Sequence, residues 1–114
     1  MFKIDLSPTF WAPVRFEAPA PTGHQRQVHE FSGQFPRMTV DELEALGQKA
    51  AGDAWPDRQV AAHLLRGWSD VADQHGNALP FTPDNVTAVL NVAGVAAAVV
   101  AAFRAAQPRA ALGN

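Results

Sequence analysis

Residues 31–50, FSGQFPRMTVDELEALGQKA, decide the fold, because the spacing of the apolar residues changes within them. Phe31, Gly33 and Phe35 occupy every second position, which places them on one face of a strand. From Val40 onward the spacing lengthens, and Val40, Leu43, Leu46 and Ala50 mark one stripe of a helix. Thr39 sits at the change, with Glu42 three residues later. That pair predicts a capping box, in which the threonine hydroxyl and the glutamate carboxylate satisfy each other's backbone N–H groups. Gly52 closes the helix. A strand period giving way to a helix period in one short chain predicts an α+β fold.

Upstream, residues 10–18 are rich in aromatic and β-branched types, and Val14 and Phe16 alternate with Arg15 and Glu17. Pro13 makes this an edge strand or the start of one, because proline donates nothing to a ladder. Residues 18–23, APAPTG, break regular structure, and a second strand follows over residues 25–35. The two form a β-hairpin with a long loop, or part of a small antiparallel sheet. Val28 falls out of phase with Phe31, Gly33 and Phe35, which predicts a bulge between them.

Downstream, a second helix starts near Asp57, and Val60, Ala61, Leu64, Leu65 and Trp68 share its apolar face. Trp68 therefore reads as core. The turn QHGNA, centred on Gly76 and Asn77, separates Val71 from Leu79 and Phe81, which read as short extended pieces. Thr82-Pro83-Asp84 begins a third helix, with a hydroxyl cap, a proline where no N–H is needed and a carboxylate at the positive dipole end. Residues 91–94 break it. Val95, Val99 and Phe103 then form the seam of a last helix, widened by Ala96, Val100 and Ala106 and ended by Pro108. The chain reads as a single domain over 1–114: a β-hairpin region at 1–37, a helical region of three to four helices at 38–107, and a frayed tail at 108–114.

Hydrophobic residues make up 47% of the chain and charged residues 18%, a globular mixture. The formal charge is −2 and the nine Lys and Arg are scattered singly, so nothing here neutralises a phosphate backbone and no nucleic-acid partner is expected. The absence of cysteine excludes disulfides and thiolate chemistry. The longest uncharged apolar stretch, residues 92–103, is far below the ~20 residues needed to span a bilayer, and no secretory signal opens the chain. These features predict a cytoplasmic protein that makes no use of a membrane.

No motif in the chain points to catalysis or to a bound cofactor. The four histidines stand at positions 24, 29, 63 and 75. A metal site needs at least three converging ligands, and His24 and His29 have odd strand spacing that turns them to opposite faces. His63 reads as a solvated helix residue. Asp70, Asp73 and His75 are close in sequence, but carboxylates in a turn between helices are ordinarily solvated, and nothing apolar surrounds these. Ser7, Ser32 and Ser69 lack nucleophile flanks, and no glycine-rich phosphate loop occurs. The expectation is a protein that is not an enzyme. A small ligand-binding or hydrolase domain would instead need His63, Asp70 and His75 to converge in a polar pocket.

The last helix is the most informative element. From Val92 to Gln107 its only charge is Arg104, and a helix apolar nearly all round must lose most of its surface to protein. Either it is the central core helix, or one face meets this domain while Val95, Val99, Val100 and Phe103 meet a partner or a second copy of the chain.

The segment GWSDVADQHGNALPFTPDNVTAVLNVAGVAAAVVAAF, residues 67–103, resembles the small tail assembly chaperones of tailed bacteriophages. The similar features are the Gly67-Trp68 pair, Val71, the turn glycine Gly76, Pro80-Phe81-Thr82 entering a helix with Asn85, and the terminal helix initiated at Gly94 and ending in an aromatic. The opening FKIDLSPTFWAPVRFE and the F-x-G-x-F run at residues 31–35 are similar too, so the resemblance covers nearly the whole chain. The alanine-rich terminal helix and Ala93 depart from the family's pattern. The resemblance implies an accessory protein of the host cytoplasm that binds the tape measure protein, helps deliver tail tube subunits and is absent from the finished virion. Members of that family often have an extended form made by ribosomal frameshifting. A structural tail component, such as a connector or completion protein, is the alternative from the same setting.

Overall fold

The computed structural model describes residues 4, 7–20, 23 and 25–107. Strands β1 (Thr9–Pro19) and β2 (Arg26–Pro36) pair antiparallel along their whole length, with Val14 opposite Phe31 and Phe10 opposite Phe35. The Ala20 N–H donates to the Gln25 carbonyl at 3.1 Å at one end, and the Arg37 N–H to the Pro8 carbonyl at 2.9 Å at the other. The register runs between them without interruption, so the bulge expected near Val28 is not there. Val28 instead faces outward opposite Glu17 and is 56% exposed. One valine on the solvent face disturbs the hydrophobic pattern without requiring any change in the ladder.

The inner face of the hairpin carries Ala12, Val14, Phe31 and Phe35, all buried. The rings of Phe10, Phe35 and Phe103 form a cluster with centroids 5.7–6.2 Å apart, tying both strands to the last helix. Gly33 belongs to this face because a Cβ there would stand 3.1 Å from the Phe35 ring.

Helix α1 (Val40–Gly52) begins at the predicted capping box: the Glu42 N–H donates to Thr39 Oγ1 at 3.2 Å, and the Thr39 N–H to Glu42 Oε1 at 2.9 Å. Helix α2 (Asp57–Leu64) is shorter than its apolar stripe suggests, and this corrects the placement of Trp68. The Arg66 N–H donates to the Gln34 carbonyl at 2.7 Å, and residues 67–69 form a third strand, β3 (Gly67–Ser69), along β2. The sheet order is β1-β2-β3, so region 38–107 contains a strand among its helices. Gly67, Trp68 and Ser69 are weak helix formers, so pairing with an available strand edge meets little local opposition. Gly67 packs closely on Gln34, and a Cβ there would lie 2.7 Å from Gln34 Oε1, so that the glutamine side-chain end would have to shift.

Asp70, at φ +66°, turns the chain out of the sheet. Ala72 and Ala78 then bridge antiparallel, and the Leu79 N–H donates to the Val71 carbonyl, which realises the expected extended pieces. Trp68 is half-buried rather than core: its indole N–H donates to the Leu79 carbonyl at 2.8 Å and its ring meets Phe81 edge-on. Helix α3 (Pro83–Leu90) starts at Thr82, whose hydroxyl accepts from the Asn85 N–H. A bend of 98° leads into α4 (Val95–Ala106), with Gly94 at φ +90°. Helix α4 lies against β1 and α2 and is the central core helix. No single helix among the described residues is long and apolar enough to cross a membrane. Pro108 and the tail lie outside the described residues.

Candidate functional site: an apolar groove beside helix α1

Val95, Val99, Val100 and Phe103 are 1%, 0%, 5% and 4% exposed. Their burial corrects the expectation that these four together meet a partner. The sheet and α2 cover the seam of α4, and its exposed side carries Ala97, Ala101 and Arg104. Ala106, expected to widen the seam, is exposed as well. Val100 and Phe103 nevertheless reach a groove of about 470 Å³ that opens beside α1.

The wall of this groove is built by the helical stripe read from the sequence: Leu43, Leu46 and Ala50 of α1 face it, with Gly47 and Ala51 between them. Its floor is Val60 and Leu64 of α2 together with Val100 and Phe103, and Trp55 closes one end. Asp57, Arg104 and Gln107 are its polar members. Helix α1 buries none of its residues, although Leu43 and Leu46 pack partly against the core, and Val40 is 69% exposed. An amphipathic helix that leaves its apolar stripe half-covered provides one side of a site for another apolar helix.

Local contacts define the two ends of α1. The Glu42 carboxyl is held below the usual glutamate range, first by the Thr39 backbone N–H and then by the Thr39 hydroxyl. At the other end Lys49 pairs with Asp53 at 3.4 Å and lies over the Trp55 ring, 5.8 Å from its centroid. These contacts fix the start and end of α1 while its middle borders open space.

The residues weighed for acid–base or metal chemistry are dispersed. The Asp73 carboxylate accepts from the His75 and Asn77 N–H groups at 2.8 and 3.0 Å, so it holds the turn. Asp70 is exposed at the end of β3, the His63 ring lies tilted 5.6 Å from that of Trp55, and His29 stacks on Phe16. His24 lies outside the described residues. Among the described residues no three His, Asp or Glu side chains are grouped to hold a metal ion. A second hollow, of about 300 Å³, lies between α2 and α3 and is lined by Arg58, Gln59, Val86, Thr87 and their neighbours. Neither hollow includes His63, Asp70 or His75.

The sequence shows the α1 stripe but not that it stays half-covered. The turn that separates α1 from α2 runs through Ala54, at φ +54°, and Pro56, which precedes the first residue of α2. Residues 50–114 match the family described as YdaY prophage protein, which takes in the end of α1, all of α2 to α4 and the floor of the groove. No curated protein and no solved structure matches the chain.

Proposed function

The chain belongs to the YdaY prophage protein family, and on that premise we propose that this phage or prophage protein is a non-enzymatic tail assembly chaperone. It works in the host cytoplasm, uses no cofactor, and binds the tape measure protein while tail tube subunits assemble. The observation that carries this reading is the apolar groove between α1, α2 and α4. The resemblance of residues 67–103 to tail assembly chaperones supports the choice of partner.

The mechanism is shielding. An apolar stripe on a helical segment of the tape measure protein lies against Leu43, Leu46, Val100 and Phe103, and burial of that surface contributes about 25 cal/mol per Å² before the costs of association. A modest contact area keeps binding reversible, so tube subunits can displace the chaperone as they polymerise. The test is co-expression with the tape measure protein followed by co-purification. The wild-type chain retains that partner, while Leu46→Lys loses it with its melting temperature little changed, because a half-buried lysine can carry its ammonium to water. A wild-type chain that never retains the tape measure protein overturns the proposal, and an unaffected Leu46→Lys overturns the groove as its site. Mass spectrometry of purified virions that finds the chain in the particle assigns it to the tail's structural parts instead.

A further inference from the structure

The hairpin has two long edges, and hydrogen-bond parity shows that they differ. Bonds at the Pro8/Arg37 and Ala20/Gln25 pairs, joined by an unbroken register, mean that the even-numbered residues of β1 bond to the odd-numbered residues of β2. The odd-numbered residues of β1 therefore turn their backbone groups to the outer edge. Pro13 and Pro19 are among them, and neither has an N–H to offer. That edge is protected against further pairing.

The other edge is not protected. The even-numbered residues of β2 point their N–H and C=O groups toward β3, but β3 covers only residues 32–34. After Ser69 the chain leaves the sheet at Asp70, so the backbone groups of Arg26, Val28 and Glu30 face an open edge with no proline in it. Nothing among the described residues pairs with them on that side. The side chains there read arginine, valine, glutamate on one face, and all three are exposed.

We propose that this edge of β2 pairs antiparallel with the same edge of a second copy of the chain, across a two-fold axis at Val28. The order of charges selects the occupant. Centred on Val28, the pairing sets Arg26 opposite the partner's Glu30 and Glu30 opposite the partner's Arg26, with Val28 against the partner's Val28. Centred on Arg26 it would oppose two arginines, and centred on Glu30 two glutamates, both unfavourable across a ladder. Glu30 already pairs with Arg15 of β1 at 3.1 Å, so the partner's Arg26 extends a row of alternating charge across the joined sheet. Among the described residues Arg26 has no ion-pair partner. The strand starts at Arg26, so the partner strand ends before it would meet β3 at Ser69. The contact is isologous, as a closed dimer requires, and does not depend on what the groove binds.

Sedimentation of the full chain tests it. The wild-type chain sediments as a dimer. Val28→Pro removes an N–H that β1 does not use and is expected to give a folded monomer, with the far-UV spectrum retained. Arg26→Glu and Glu30→Arg each place like charges opposite one another and lose the dimer, but an equimolar mixture of these two variants regains it as a heterodimer, because every facing pair is then of opposite sign. A monomeric wild-type chain overturns the proposal. So does a dimer that survives both charge reversals, or a mixture of the two variants that stays monomeric.

Discussion

Replacing Phe35 by alanine removes the ring on which the two halves of the molecule converge. Phe35 is fully buried, its centroid lies 5.8 Å from Phe10 on β1 and 5.7 Å from Phe103 on α4, and it rests against the bare Cα of Gly33. Phenylalanine-to-alanine changes in cores cost about 3–5 kcal/mol, more where neighbours cannot collapse into the space. Here the neighbours are two rigid rings and a glycine with no side chain to move, so the cost falls at the upper end, about 4–5 kcal/mol. A chain of 114 residues has roughly 6–17 kcal/mol of stability in all. At roughly 4 °C per kcal/mol for this size, the melting temperature drops by about 15–20 °C. Thermal unfolding followed by circular dichroism, with urea unfolding to check that the slope is unchanged, measures it. Trp11→Ala is the control: Trp11 is a larger aromatic one residue from Phe10, but it is 54% exposed on the outer face and should cost less than about 1 kcal/mol. A fall under about 5 °C for Phe35→Ala would mean that the three rings do not hold the sheet to α4, since each lost kcal/mol must appear in the transition.

The remaining predictions concern helix ends and backbone conformation. Thr39→Ala removes the hydroxyl that caps α1 and costs about 1 kcal/mol. Because α1 buries no residue, the loss should appear as faster hydrogen exchange over residues 43–50 with the global melting temperature nearly unchanged. The folded Glu42 carboxyl is held below the ordinary glutamate value, so its capping contribution is complete above that ordinary value and is lost as pH falls through the lower, folded one. A carboxyl titration by nuclear magnetic resonance that places Glu42 at or above the ordinary glutamate value would refute the cap, and Glu42→Gln should abolish this acid dependence of α1. Gly94→Ala should destabilise by about 1–2 kcal/mol although its Cβ meets nothing within 4 Å, because φ is +90° there. Gly47→Ala, equally open but inside α1, should instead slow exchange in that helix by up to about 1 kcal/mol of helix propensity. Urea midpoints and exchange rates that shift in the same direction for both glycines would refute the assignment of these conformations.

Most of the fold was legible because its signals are local. The period of two through Phe31, Gly33 and Phe35, the capping box at Thr39 and Glu42, the Thr82-Pro83 start and the break before Gly94 each depend on residues within one turn or one strand. The apolar character of α4 was equally plain. Its role as core was not, because a nearly all-apolar helix looks the same whether its own chain or a partner covers it.

The sequence by itself determined the α+β class, the order of the hairpin and helices, and the stripe on α1 that forms one wall of the groove. Tertiary structure alone decided three further matters. It ended α2 at Leu64 and made Trp68 part of a strand, because the edge of β2 offered backbone bonds that no local pattern records. It enclosed Val95 and Val99 while leaving α1 half-covered, which sets the groove at Val100 and Phe103. It also left Arg26, Val28 and Glu30 on an open edge, because β3 stops after three residues. Local sequence sets which face of an element is apolar, whereas the cover over that face depends on residues far away along the chain.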